Sequence, residues 1–143
     1  MKVSRKLFAV TTTLILLTFL PLAIATAQQP FTSLSANAKG QGTLTMGREE
    51  MKIHSVVVQL KEDGTGEIII ATDLTLFVNC TWTAPADLSK GIDLKVTGGT
   101  TAGGATGSGK LLLKPDGKSI ASLSMQGTSN TSKRKIKIDF VAE

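Results

Sequence analysis

The chain contains no tyrosine, and it has only one cysteine, one histidine, one tryptophan and four prolines among its 143 residues. Each scarcity closes off a class of protein. A single cysteine, Cys80, cannot form an internal disulfide framework, so the fold depends on its core alone. With one histidine, His54, and one cysteine, a metal centre would have to be built almost entirely from carboxylates. Those carboxylates are scattered at Glu49, Glu50, Glu62, Asp63, Glu67 and Asp73. Ser-His-Asp or Cys-His catalysis could use only His54, and no G-x-S-x-G elbow is present. We therefore expect no enzyme, no cofactor and no metal site. An enzyme, if there were one, would have to pair His54 with carboxylates beside it.

The rarity of aromatic residues also weighs against a sugar-binding platform or a barrel that spans an outer membrane, which needs aromatic girdles and an outward apolar band.

The N-terminus reads as an export signal. Lys2, Arg5 and Lys6 precede an apolar stretch from Leu7 to Ala23, and Ala25-Thr26-Ala27 supplies small residues before Gln28. This is the pattern a signal peptidase recognises, with cleavage after Ala27. An uncleaved anchor is the alternative, disfavoured by Thr11-Thr12-Thr13 and Pro21. A lipid anchor would need a cysteine at the cleavage site, and Cys80 is far downstream. The expected mature chain has no transmembrane segment and is secreted or periplasmic.

Cleavage also changes the charge. The 16 Lys and Arg become 13 once Lys2, Arg5 and Lys6 are removed, against 11 Asp and Glu, so net +5 becomes +2. A charge that small makes no general case for nucleic acid or an acidic membrane.

What remains, residues 28–143, is long enough for one domain. Its dominant signal is a two-residue alternation, which marks β-strands with one buried face. The strand Asp73 to Trp82 organises the reading: Leu74, Leu76, Val78, Cys80 and Trp82 share one face, and only Phe77 interrupts the polar one. Residues 28–39, rich in Ser, Ala, Gln and Asn, are expected to form a flexible lead-in, with the all-β domain over 40–143.

Strands follow at Gly40–Met46, Met51–Lys61, with a phase slip near His54-Ser55 that implies a β-bulge, and Glu67–Thr72. A corner near Thr72-Asp73 is required, because an unbroken strand to Trp82 would outgrow the domain. Ala84–Gly91 reads as a loop with one helical turn. Ile92–Val96 is a fifth strand, and the glycine-rich stretch Gly98–Gly109 is expected to be irregular and mobile.

Three more strands come from Lys110–Lys114, Ala121–Met125 and Ile136–Phe140. Glu62-Asp63-Gly64 and Pro115-Asp116-Gly117 are hairpin turns. About eight strands with short connections predict an antiparallel meander closed into a small barrel, with a two-sheet sandwich as the alternative.

Several motifs admit a chemical reading. Gly104 to Lys110 matches G-x-x-x-x-G-K, but Leu111 stands where a hydroxyl should follow and Pro115 opposes a helix start, so nucleotide binding is not expected. Cys80-Thr81-Trp82 departs at its first residue from the G-x-W of lipocalin-like barrels, and nothing is carried over from it.

Asn79-Cys80-Thr81 and Asn130-Thr131-Ser132 fit N-x-[ST], which matters only in a glycosylating host. Lys133, Arg134, Lys135 and Lys137 form the one concentrated charge. They serve either to keep an edge strand from pairing or to meet an anionic surface.

The reading that follows is an exported, non-enzymatic β-domain that binds a small apolar ligand or another envelope component. Leu76, Val78 and Trp82 are the candidate cavity lining. The alternative is a structural or adhesive module that associates through a strand edge or a face.

Overall fold

The structure is a computed structural model, and it describes residues 30–100 and 104–143. The export segment expected over residues 1–27 lies outside the described residues, as do Gln28 and Gln29. Eight antiparallel strands form a closed barrel in which each strand pairs with its sequence neighbours and β8 returns to β1. They are β1 (Leu34–Met46), β2 (Glu49–Leu60), β3 (Thr65–Ala71), β4 (Thr75–Trp82), β5 (Ile92–Gly99), β6 (Ala105–Leu113), β7 (Ile120–Ser129) and β8 (Lys135–Ala142). The meander and its closure are as the alternation predicts, and the sandwich is excluded.

The turns follow from their residues. Between β2 and β3, Gly64 takes φ +83° and Asp63 accepts hydrogen bonds from the Thr65 N–H and hydroxyl. Between β6 and β7, Gly117 takes φ +67° and its N–H reaches the Lys114 carbonyl at 2.9 Å. The corner after β3 is made by Thr72, whose hydroxyl donates to Leu74 O at 2.8 Å and accepts from Leu74 N at 3.0 Å. A threonine thereby supplies the turn that no glycine or proline signals. Leu74 itself sits in that turn, 66 % exposed, rather than on the inner face of β4.

Several strand boundaries differ from the sequence expectation; two of them, and the irregularity expected near His54-Ser55, shape the wall. First, β1 begins at Leu34, so residues 34–39 of the expected lead-in belong to the wall and pair with Leu60 through Ser55. Second, the glycine stretch is largely strand: β5 runs to Gly99 and β6 starts at Ala105. Its glycines permit close strand approach; a β-carbon on Gly107 would come within 2.5 Å of Gly127 Cα on β7. Third, the ladder between β1 and β2 steps from Lys39↔Ser55 to Gly42↔Ile53, so Gly40 and Gln41 oppose His54 alone. The irregularity lies beside His54, but the extra residue is on β1.

The interior is filled by side chains over most of its length. Inward residues form rows around the wall, of which one runs Ile92, Leu111, Leu123, Phe140, Gly42, Ile53 across six strands. Where Gly40 brings no side chain, the Phe140 ring takes the space: a β-carbon there would come 2.9 Å from Phe140 Cζ, and the ring is 1 % exposed. The outer wall carries Lys52, His54, Asp93, Lys95, Lys110 and Lys137, all exposed. Polar outside and apolar inside is the reverse of a membrane-spanning barrel. No helix among the described residues is long and apolar enough to cross a membrane.

Candidate functional site

The two ends of the barrel are built differently. At the end carrying the β2–β3 and β6–β7 turns, Trp82 acts as a plug. It is 8 % exposed, its ring meets Phe31 edge-on with centroids 5.6 Å apart, and Leu88 packs beside the same core. The indole Nε1–H donates to Lys61 O at 3.0 Å and to Thr65 O at 3.2 Å, which satisfies its one polar atom. Pro30, Phe31, the Ala84–Ser89 segment and the β6–β7 turn border an open crevice outside this plug.

The crevice carboxylates are committed to their own turns. Ser89 hydroxyl and N–H hold Asp87 below the usual carboxylate range. Asp116 is lowered to about 2, first by the Ser119 hydroxyl and then by the Lys118 and Ser119 N–H groups.

At the opposite end, the next interior row reads Val96, Gly107, Gly127, Ile136, Met46. Two consecutive glycines bring no side chains into it, and the core is left unfilled there. The result is a cavity of about 60 Å³, lined mainly by apolar atoms of Leu44, Met46, Ile70, Leu76, Val78, Val96, Met125, Ile136 and Ile138. Its rim includes Thr100 and Thr106, both exposed, so it opens to solvent. The volume accommodates a short chain end and is less than half the roughly 150 Å³ that holds a benzene ring.

Of the residues expected to line a cavity, Leu76 and Val78 border this one, and Trp82 does not. Trp82 lies six and four residues further along β4, at the plugged end, because a strand that length crosses the barrel from mouth to base. The sequence signal missed for this site was the glycine pair, which marked an inner row without side chains rather than a mobile loop.

The basic cluster is also placed. Lys133 and Arg134 lie in the β7–β8 turn at the mouth end, and Lys135 and Lys137 stand on β8. Strand β8 pairs with both β7 and β1, so these lysines guard no edge. Arg134 reaches Glu49 at 3.6 Å and Lys137 reaches Asp139 at 2.7 Å. His54 is exposed on the wall, whereas Cys80 is 2 % exposed inside it, and burial pushes the thiol up to about 11. Among the described residues, no three His, Cys, Asp or Glu side chains are grouped to hold a metal ion.

The outer wall has apolar interruptions: Leu112 on β6 and Val141 on β8 stand singly, 38 % and 65 % exposed, and one row is continuous. Val57, Ile69 and Phe77 are direct cross-strand neighbours on β2, β3 and β4, facing outward, with Phe77 43 % exposed.

No family model matches the chain, and no curated protein or solved structure shows significant similarity to it.

Proposed function

We propose that the protein is an exported, non-enzymatic binding module whose open barrel end receives an apolar group of a small ligand or of an envelope component. The observation that carries this reading is the asymmetry of the two ends. One is closed by a hydrogen-bonded tryptophan, and the other presents an apolar cavity to solvent. Apolar surface left open at the end of an otherwise filled barrel is where binding gains free energy without unfolding anything. The cavity's size limits what enters to a chain terminus or a small side chain, with the rest of the ligand outside.

A titration with 1-hexanol followed by methyl-resolved NMR tests this. Saturable shifts are expected at Met46, Leu76, Val96 and Ile136, with the Trp82 indole unmoved. Uniform, non-saturating shifts across the protein would reject the site.

A second reading, association through a face, is favoured by the Val57, Ile69 and Phe77 row. Association by strand addition has no comparable support, since a closed barrel leaves no unpaired edge. Sedimentation over a range of concentrations decides: dimerisation that Phe77→Ser abolishes supports the face, and a monomer throughout removes it.

A further inference from the structure

We infer that the open end is a site for a single-chain carboxylate amphiphile, a fatty acid, whose alkyl terminus enters the cavity while its carboxylate meets the Lys133–Lys135 turn. This rests on the apolar-end reading above and adds the chemistry of the ligand's other half.

The turn belongs to the mouth by connectivity. Ile136 and Met46 line the cavity, and the residue next to each is tied to the other strand, Gly47 N–H donating to Lys135 O at 2.9 Å. On its other side the turn reaches the β5–β6 connection, where Asn130 N–H donates to Gly104 O at 3.0 Å. Residues 130–134 therefore border the opening between two neighbouring connections.

Its charge is not balanced locally. Of the three consecutive cations, Arg134 is engaged with Glu49, while Lys133 and Lys135 are exposed and form no salt bridge among the described residues. The acidic groups elsewhere on this end are Glu49, Glu50 and Asp73. Glu49 is already paired, Glu50 stands on β2 opposite Thr45, in the row that continues to Lys137 rather than to the turn, and Asp73 lies in the β3–β4 turn, away from β7 and β8 in the strand order.

Lys133 also occupies a backbone position that argues against indifference. It has φ +56°, the one positive-φ residue other than glycine among those described. The turn is held there by Lys133 N–H to Ser129 O at 3.0 Å and by Ser132 N–H to Ser129 Oγ at 3.3 Å, with Ser129 buried. Glycine or asparagine occupies that region at less cost, yet a lysine stands at the rim.

A cavity that admits one chain end suits a free amphiphile rather than a bilayer surface, and a net charge of +2 over residues 28–143 gives little general attraction to membranes.

The test is calorimetric titration of the whole protein with decanoate, decanol and decyltrimethylammonium, at low ionic strength and at about 0.5 M salt. Decanoate should bind on the order of tenfold more tightly than decanol at low salt, and the cation more weakly than either, with the differences shrinking in high salt. Lys133→Gly and Lys135→Gln should each weaken decanoate roughly 2- to 5-fold and leave decanol unchanged.

Equal affinity for all three probes would overturn the fatty-acid assignment while leaving the apolar site standing. No binding of any probe would overturn both. Capture by anionic phospholipid vesicles without affinity for decanoate would point to a membrane surface instead and also overturn it.

Discussion

Replacing Gly107 by alanine should destabilise the protein, whereas the same change at Gly98, nine residues earlier in the same glycine-rich stretch, should not. At Gly107 the new β-carbon would run into the Gln126–Gly127 peptide of β7, with Gly127 Cα at 2.5 Å and the Gln126 carbonyl carbon at 2.9 Å. Ordinary contact begins near 3.4 Å, so β6 and β7 would have to separate by roughly 0.9 Å where they are paired. Overpacking of this kind costs about 1–3 kcal/mol.

At Gly98 the nearest atom is Asn79 Nδ2 at 3.8 Å, and the backbone does not require a positive φ. There alanine should be neutral or add about 0.4–1 kcal/mol by restricting the unfolded chain. The two variants should thus differ by about 1–4 kcal/mol, or roughly 4–16 °C in Tm for a domain of this size. Urea unfolding read by Trp82 fluorescence measures this, since Trp82 lies at the opposite end from both sites. Indistinguishable midpoints would refute the argument, because that is how two positions in a loose loop behave.

Three further outcomes follow from individual contacts. Trp82→Phe should cost about 1–2 kcal/mol in thermal unfolding. The loss is moderate because Lys61 O keeps Gly64 N–H and Thr65 O keeps Lys61 N–H as donors.

Asp116 titrates at about 2 in the fold, below its ordinary 3.8, so the unfolded chain binds the proton first as pH falls. Its stabilising contribution is complete above pH 3.8 and is lost as pH drops through about 2. Asp116→Asn should flatten the dependence of the urea midpoint over that window, and an unchanged dependence would show that the Ser119 and Lys118 hydrogen bonds do not form in solution.

Cys80, raised to about 11 from 9.0 by burial, should resist a thiol reagent at pH 8 until the barrel unfolds, and stability should decline as pH rises from 9 towards 11. Rapid labelling of the native protein would contradict its burial.

The barrel was legible in the sequence because its inner residues are large and alternate cleanly: Val56, Val58 and Leu60, or Ile136, Ile138 and Phe140. The start of β1 was not legible, since Ala36 and Ala38 are too small to distinguish a buried face from a polar linker. Glycines misled for a related reason. A glycine has the same identity in a loop and in a wall where strands press together, and only the register, which sets Gly107 against Gly127, distinguishes the two.

The site was half legible. Leu76 and Val78 belong to the cavity because they share a face, but which end of β4 lies open depends on where the other strands leave space. Trp82 shares the face of Leu76 and Val78 but lies at the other end of the strand. The lysines of β8 looked like edge protection only while closure was undecided.

The most direct test of the account is a crystal of the protein pressurised with xenon, an apolar atom small enough for a cavity of about 60 Å³. A single ordered xenon is expected among Leu76, Val96 and Ile136, and none beside Trp82. Ordered water in that space, or xenon at the tryptophan end, would contradict it.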